Sequence, residues 1–312
     1  MTVYEYKVNE RLPIGSCSVA IGFFDGVHLA HRELICDAIR EARRLGVAAG
    51  VVTFLSESAI KPKNPRIYSS EEKLEIIASL GVDFAVVCRF EEVSSMTGEE
   101  FVREVLVSSI GAVSVSAGFN FRFGVRASSD ARDLCDYMSR LGGRASILPA
   151  FVFRGAPLSS TVIRSLLAEG DVETAGEALG LPFFVTARVE RGERLGRRLG
   201  FPTANLPERD GFVRLKKGVY RCALLIDGRA YSAITNVGVC PTFDERESHI
   251  EAHIIGFSGD IYGRELRLFF LGRLRDEMQF SSPEALTEQI ETDKQRTIKE
   301  NGDLLWLETG LS

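Results

Sequence analysis

Small residues and two histidines follow a predicted strand near the start of the chain, in the segment 21–31 with the sequence IGFFDGVHLAH. Small residues let backbone amides approach an anion at a helix N-terminus, and histidines three positions apart lie on one side of a helix. Imidazoles placed there stabilise charge that develops on a phosphate in a transition state. A hairpin turn at Asp25-Gly26 is the alternative, which the amphipathic pattern that follows disfavours. The segment therefore predicts a phosphate site that contains Gly22, Phe24, Asp25, Gly26, His28 and His31.

A second candidate site lies at residues 192–206, GERLGRRLGFPTANL, where glycines alternate with arginines. The segment matches neither the Walker A loop nor the GxGxxG pattern. A loop of this kind wraps phosphates with its backbone amides, and hydroxyl and amide oxygens are ligands for a hard cation such as Mg²⁺. The alternative is a flexible surface loop with a proline turn. The candidate residues are Gly192, Gly196, Gly200, Pro202, Thr203 and Asn205, of which Thr203 and Asn205 would hold the metal.

The elements that position the first site alternate between strand and helix. Nearly continuous apolar runs separated by helical patterns predict a parallel sheet covered on both faces. Ser69 with Glu72, and Thr97 with Glu100, are typical of capping boxes that begin helices. The first half is therefore predicted to be a doubly wound α/β domain, with strands at 18–24, 48–55, 83–90, 112–121 and 144–151 and a first helix at 31–45.

After a helical stretch at 161–179, strands follow one another without helices between them. Asp227-Gly228 between two apolar runs predicts a β-hairpin. Residues 248–257 alternate, with Glu251 on the face opposite the apolar residues. Ser282-Pro283 begins a final helix that runs to about residue 299. The second half is predicted to be an antiparallel β-barrel with a C-terminal helix, and the domains are predicted to be 1–182 and 183–312.

Five further motifs follow the first site in order, at 68–73, 80–83, 101–102, 118–124 and 159–164. With the HxxH turn they resemble the FMN adenylyltransferase module of bacterial bifunctional riboflavin kinase/FAD synthetases, within the nucleotidyltransferase superfamily. This resemblance implies a Rossmann-like domain in which His28 and His31 are catalytic and stabilise charge on the α-phosphate of ATP. It also implies that Asn120 lies near the nucleotide, and that Ser160, Thr161 and Arg164 belong to the triphosphate site.

The second half carries the string GFPTAN at 200–205, followed by collinear motifs from residue 218 to residue 293. These resemble the riboflavin kinase module of the same family. The resemblance implies that Thr203 and Asn205 bind Mg²⁺-ATP, that Glu251 is the catalytic base, and that Arg275 and Phe280 contact the substrate. A solvated strand residue is the alternative reading of Glu251, and alternation alone leaves both readings open.

Three positions depart from the family pattern in the first half. Ala30 stands where the family has glycine in HxGH, residues 53–58 lack the usual Pro-His-Pro element, and Ser129 stands where glycine is common. Ala30 and the missing Pro-His-Pro element favour an alternative, a monofunctional riboflavin kinase that keeps the first domain without its activity. A non-catalytic flavin-binding sensor, and a nucleotidyltransferase with another acceptor, are two further alternatives.

Composition limits the other partners. The 312 residues carry a net charge of −5 with a pI near 5.6, which argues against nucleic-acid binding through bulk positive charge. No apolar run approaches the roughly 18 residues that a membrane span needs, and the N-terminus lacks the apolar region of a signal peptide. Six cysteines without a CxxC pair indicate reduced thiols. The sequence therefore predicts a cytoplasmic enzyme that uses ATP, riboflavin, FMN and Mg²⁺ and binds neither nucleic acid nor membranes, while its oligomeric state stays open.

Overall fold

The computed structural model describes residues 1–55, 64–190, 203–239 and 248–308, and its contacts divide the chain into two units, Met1–Ser160 and Thr161–Ser312. The first unit contains a six-stranded parallel sheet in the order β1-β4-β3-β2-β5-β6. Its central strands are almost wholly buried, as helices on both faces require. The predicted doubly wound α/β fold is confirmed, with β1 Thr2–Glu5, β2 Cys17–Ile21, β3 Ala48–Leu55, β4 Phe84–Arg89, β5 Ala112–Gly118 and β6 Arg144–Leu148.

Helices cover the faces of this sheet and begin where the sequence predicts caps. Ser69 and Thr97 each accept a hydrogen bond from the amide three residues later, and Glu72 and Glu100 complete the capping boxes. A third capping box, at Asp130, is not among the predictions. The helices are α1 Leu29–Leu45, α2 Ser70–Ser79, α3 Phe90–Val93, α4 Gly98–Glu100 (continued with π-type hydrogen bonds over Phe101–Ser109) and α5 Ala131–Arg140.

Strand order determines where a ligand can bind in this unit. From β2 the chain moves outward to β3 and β4, then returns to place β5 on the other side of β2. In open α/β sheets, ligands bind outside the carboxyl ends of the strands at such a switch point. The segment 22–28 leaves β2 there, and Asn120 follows β5. Both predicted nucleotide-binding segments of this unit therefore lie at the carboxyl ends of adjacent strands.

The second unit is a nearly closed antiparallel barrel in the strand order β10-β13-β12-β11-β14-β9. The Glu190 amide donates to the Asn205 carbonyl at 2.9 Å, which links the two end strands. The predicted barrel with a C-terminal helix is confirmed. Its strands are β9 Phe184–Arg188, β10 Thr203–Pro207, β11 Gly218–Ile226, β12 Arg229–Val239, β13 Ser248–Ile254 and β14 Glu265–Arg275, and two-residue strands β7 Val152–Phe153 and β8 Ala156–Pro157 precede them in the first unit.

Two local predictions for this unit are confirmed. Asp227 and Gly228 have φ of 51° and 78° and connect β11 to β12 as a tight hairpin. Pro283 begins helix α8, Pro283–Asn301, whose cap Ser282 accepts from the Ala285 amide at 3.2 Å. A short helix α9, Leu305–Glu308, ends the described chain.

Two helices connect the α/β fold to the barrel in sequence, α6 Ser160–Glu169 and α7 Val172–Leu179. Their residues group with the second unit from Thr161 onward. The Lys216 amide donates to the Leu167 carbonyl at 3.3 Å, and Gly170 lies against Arg273 and Tyr220 of the barrel. The domain boundary after residue 182 stays a prediction. Within the described ranges, every helix is too short or too polar to cross a membrane.

Candidate active sites

The loop between β2 and α1 has an unusual backbone conformation. Phe24, Gly26 and Val27 have φ of 51°, 85° and 44°, a region that residues with a Cβ seldom adopt. Asp25 is fixed on both sides, because its Oδ1 accepts from the Ile67 amide at 3.0 Å and its carbonyl accepts from the Ser160 hydroxyl at 2.8 Å. The loop is a defined turn that leads into a helix, and the hairpin alternative is wrong.

His28 and His31 lie together at the start of α1. The rings stack with centroids 3.7 Å apart and planes at 13°, and the edge of Phe24 contacts His31 at 5.4 Å. Burial lowers the pKa of His31 well below its usual 6.5, and the neighbouring His28 and Lys73 lower it further. His31 is therefore a neutral imidazole at pH 7, able to donate one hydrogen bond to developing negative charge. The spacing prediction that both rings lie on one side of the helix is confirmed.

Lys73 is a component of this region that sequence reasoning did not single out. Its ammonium donates to the Phe23 carbonyl at 3.1 Å and to the Thr53 hydroxyl at 3.0 Å, and the residue is buried. Burial lowers the pKa of Lys73 to about 8, against the opposing effect of Asp25. The motif at 68–73 contains Lys73, but a lysine at the fourth position of a helix gives no signal that it points inward.

Phenylalanine side chains are exposed beside the same loop. Phe23 is 55% exposed and Phe90 44%, and the Phe23 ring lies 5.1 Å from Phe54 and 6.4 Å from Phe90. Large exposed aromatic groups in contact with one another are typical of a binding surface. The two exposed rings and the buried Phe54 behind them form an aromatic platform at the carboxyl ends of β2, β3 and β4, which the sequence motifs did not indicate.

The remaining predicted residues of the first site have defined positions. Gly22 donates to the Val52 carbonyl at 3.1 Å, and a Cβ there would lie 3.3 Å from the Phe24 ring. Asn120 is exposed just after β5, and Ser160 reaches the loop through Asp25. Thr161 and Arg164 are the second and fifth residues of α6 and belong to the second unit, and their place in a triphosphate site stays a prediction.

Two of the three departures from the family pattern are visible. Ala30 lies half-buried in the first turn of α1. Ser129 is buried and pairs with Phe123 through two backbone hydrogen bonds of 3.0 and 3.1 Å. Of residues 53–58, only those up to Leu55 lie among the described residues.

The candidate kinase residues lie on one face of three neighbouring strands. Asn205 on β10, Glu251 on β13 and Asn236 on β12 are opposite one another in register, and paired residues of antiparallel strands share a face. Thr203, two positions before Asn205, shares this face, whereas the intervening Ala204 is buried. The strand register brings Thr203, Asn205 and Glu251 together and adds Asn236, which the sequence analysis did not single out.

Glu251 has two features that suit a proton acceptor. Its side chain is 39% exposed, and its Oε1 lies 3.2 Å from the Nε2 atom of His249, which shares its face. A second carboxylate approaches the same face, because Glu277 occupies the space that a side chain at Gly238 would need. Gly238 is opposite His249 in register. The face therefore carries amide, hydroxyl, imidazole and carboxylate groups within a few residues of each other.

Arg275 and Phe280 contact each other, with the Arg275 guanidinium 5.9 Å from the ring centroid. The Nε and Nη2 atoms of Arg275 donate to Oδ2 of the buried Asp293 at 3.0 and 2.8 Å, and Gln289 donates to Oδ1 at 3.0 Å. This pair joins β14 to α8. The structure thus gives Arg275 a structural partner, and its contact with a substrate stays a prediction.

Four residues predicted to bind nucleotide, Gly192, Gly196, Gly200 and Pro202, lie outside the described residues. Within the described ranges, no three His, Cys, Asp or Glu side chains are grouped as a metal site requires. The magnesium prediction, at Thr203 and Asn205, stays a prediction.

Comparison with known proteins addresses both units. Residues 13–162 match the family model described as FAD synthetase, and residues 179–300 match that described as riboflavin kinase. The chain is 32% identical over 290 residues to the bifunctional riboflavin kinase/FMN adenylyltransferase of Bacillus subtilis, covering 90% of this chain and 91% of that one. The chain belongs to the bifunctional riboflavin kinase/FMN adenylyltransferase family. The corresponding Escherichia coli K12 protein is also 32% identical, with 91% and 92% of the two chains covered.

A solved structure has the same fold along nearly the whole chain. It carries the name macrolide-efflux protein, comes from Streptococcus pneumoniae, and matches with a TM-score of 0.85 and 31% identity over 95% of this chain and 99% of that chain. Its name differs from that of the family, whereas both family models match this chain. The family membership of this chain therefore rests on those models and on the bifunctional relatives.

Proposed function

We propose that the chain phosphorylates riboflavin to FMN in its second unit and adenylylates FMN to FAD in its first unit. The observation that carries this proposal is that one chain matches both family models while each unit groups polar residues suited to its reaction. In the first unit these are His28 and His31 beside a helix N-terminus. In the second they are Thr203, Asn205 and Glu251 on one barrel face.

In the kinase reaction, Glu251 accepts the proton of a ribityl hydroxyl as that oxygen attacks the γ-phosphorus of ATP. The new bond joins this oxygen to phosphorus, and the bond to the bridging oxygen of ADP breaks. The His249 contact at 3.2 Å supports this role, because it orients the Glu251 carboxylate. In-line transfer needs no covalent enzyme intermediate.

Thr203 and Asn205 would hold magnesium in this unit, because their side chains share a half-buried face and offer the oxygen donors that this ion prefers. Bound magnesium would neutralise charge on the phosphates of ATP. Asn236 extends the same row of donors beside Glu251.

In the adenylyl transfer, an oxygen of the FMN phosphate attacks the α-phosphorus of ATP and pyrophosphate leaves. The amides at the start of α1 bind phosphate, and the neutral His31 donates a hydrogen bond to the charge that develops. Asn120, Ser160, Thr161 and Arg164 are proposed to complete the nucleotide site. The aromatic platform of Phe23, Phe54 and Phe90 supports a flat aromatic acceptor such as the flavin ring.

The proposal is tested by supplying the purified chain with Mg²⁺, ATP and either riboflavin or FMN, with FMN, FAD and pyrophosphate measured separately. We expect FMN and then FAD from riboflavin, and equal amounts of FAD and pyrophosphate from FMN. Production of FMN without FAD at every Mg²⁺ concentration would indicate that the chain is a monofunctional riboflavin kinase. Tight flavin binding without consumption of ATP would indicate that the chain is a non-catalytic flavin-binding sensor.

A second arm of this experiment tests the acceptor. Phe23→Ala removes part of the aromatic platform and is expected to raise KM for FMN in FAD formation by about fivefold, since stacking contributes on the order of 1 kcal/mol. Val152→Ala, at a side chain of the same unit that is 63% exposed, is the matched control. Equal KM values for the two variants would indicate another acceptor site.

We also infer a cytoplasmic location. Burial raises the pKa of the Cys17, Cys88 and Cys222 thiols to about 12. Such thiols are unreactive core residues, which suits a reducing compartment. The absence of nucleic-acid and membrane partners stays a prediction.

A further inference from the structure

The buried ammonium of Lys73 has no part in the two reactions described above. A buried charge is costly unless it is paired or hydrogen-bonded, and an apolar side chain of the same length would avoid that cost. Lys73 is only 7% exposed, yet its ammonium hydrogen-bonds two neutral oxygens, the Phe23 carbonyl and the Thr53 hydroxyl. Neither partner is a carboxylate, so the pairing does not explain why a charge is kept here.

The Phe23 carbonyl that Lys73 holds begins the strained part of the phosphate loop. Phe24, Gly26 and Val27 follow with φ of 51°, 85° and 44°. A backbone in this region persists only where its surroundings fix it. The Thr53 hydroxyl also donates to the Phe23 carbonyl, at 3.3 Å, so strand β3 and helix α2 meet at this one carbonyl.

The loop in turn positions the histidines. The Phe24 ring lies edge-on to His31 at 5.4 Å, and the missing side chain of Gly22 leaves room for that ring. A displacement of the Phe23 carbonyl therefore moves Phe24 and then His31. Misplacement by about 1 Å at a reacting centre costs roughly a hundredfold in rate.

We propose that Lys73 is a positioning residue for adenylyl transfer, which fixes the phosphate loop at Phe23 and, through Phe24, the ring of His31. This inference rests on the proposed function of the first unit. Lys73 also affects the protonation of His31, and charged or titratable neighbours face both groups. His31 faces the charges of Lys73 and His28, and Lys73 itself faces Asp25 and Arg66. The positive charge of Lys73 favours the neutral form of His31.

The variants Lys73→Met, Lys73→Arg and Thr53→Val in the full chain test the proposal. Lys73→Met keeps an unbranched side chain of similar length but removes the hydrogen-bond donors and the positive charge. Lys73→Arg keeps the donors and the charge. Thr53→Val preserves shape and removes one partner. Lys7→Met, at an exposed lysine of the same unit, is the matched control. Each variant is assayed for FAD formation from FMN, with FMN formation from riboflavin as an internal control in the other unit.

We expect Lys73→Met to lower kcat for FAD formation by about 10- to 100-fold, with kinase turnover and the KM for riboflavin unchanged. Lys73→Arg is expected to retain most of the wild-type kcat for FAD formation. Thr53→Val is expected to lower kcat less than Lys73→Met does. In Lys73→Met the pKa of His31, followed by NMR and assigned through a His31 variant, should rise because a facing positive charge is removed. Burial and His28 still hold this pKa below 6.5 in the variant. A role in folding alone would not produce this combination.

Two results would overturn the proposal. One is wild-type kcat for FAD formation in both Lys73→Met and Thr53→Val, with the pKa of His31 unmoved. The other is parallel loss of both activities in Lys73→Met with a normal Thr53→Val variant, which would make Lys73 a folding residue. If the wild-type chain forms no FAD, the proposed function fails, and the NMR measurement still decides whether Lys73 controls His31.

Discussion

The phosphate loop of the first unit and the polar face of the barrel are constructed differently, although both are proposed to act on ATP. The first places two stacked histidines and a buried ammonium around a strained turn. The second places half-exposed side chains in register across three regular strands. In the first, burial shifts the pKa of His31 and of Lys73. The barrel face instead keeps its carboxylate in contact with water.

This difference indicates two ways to prepare a site for phosphate chemistry. A buried cluster preorganises charge in a medium of low dielectric, where each interaction is strong and each misplaced group is costly. A row on a sheet obtains its geometry from strand register, which no single side chain controls. A substitution in the phosphate loop should therefore also change the positions and pKa values of neighbouring groups. A substitution on the barrel face should remove the function of the substituted side chain and leave its neighbours in place.

The largest effect is expected for Glu251→Gln. Loss of the general base should lower kinase turnover by about 10²- to 10⁴-fold, while FAD formation from supplied FMN continues at the wild-type rate. Glu265→Gln, at an exposed carboxylate of the same barrel, is the matched control. Steady-state assays of each reaction measure both effects. Unchanged kinase turnover in Glu251→Gln would show that Glu251 is a solvated strand residue with no catalytic role.

A smaller effect is expected for His31→Ala in the first unit. Removal of one preorganised donor should lower kcat for FAD formation by about 10²- to 10³-fold, with the riboflavin kinase reaction unaffected. Loss of both activities would show that the substitution unfolds the chain.

The same variant should change the response of the first unit to acid. His31 resists protonation in the folded chain but takes up a proton below about pH 6.5 when unfolded. The unfolded state therefore binds more protons below that pH, and wild-type stability falls as the pH decreases through this range. Thermal melts at pH 7 and at lower pH should show less acid destabilisation in His31→Ala than in the wild type. An equal loss in both proteins would contradict the lowered pKa of the His31 imidazole.

The smallest effect on turnover is expected for Asp293→Ala, which separates Arg275 from its partner. Breaking a buried ion pair leaves an uncompensated charge and should destabilise the second unit by about 3 kcal/mol, as measured by urea titration of kinase activity. Asp210→Ala, at a fully exposed carboxylate, should leave the free energy of unfolding close to that of the wild type. Equal stability of the two variants would mean that Arg275 is held by other contacts.

Much of the fold was predictable because its signals are local. The capping residues Ser69 and Thr97, the Asp227-Gly228 turn and Pro283 at a helix start all act within a few residues. Strand β1 lacked such a signal, since it is four residues long and mostly exposed at the edge of the sheet. Residues 161–179 gave a helical pattern, but periodicity does not show which unit a helix packs against.

Three features of the two sites are readable from the amino-acid sequence: the spacing of His28 and His31, the alternation that separates Glu251 from the barrel core, and the order of the motifs along the chain. Each follows from backbone periodicity, which depends on neighbouring residues only. Three other features follow from the folded chain: Lys73 reaches the Phe23 carbonyl from 50 residues away, Asn236 lies beside Glu251 and Asn205, and Arg275 is paired with Asp293. These contacts depend on sheet order and helix packing, which join residues far apart in sequence, and so no local pattern encodes them.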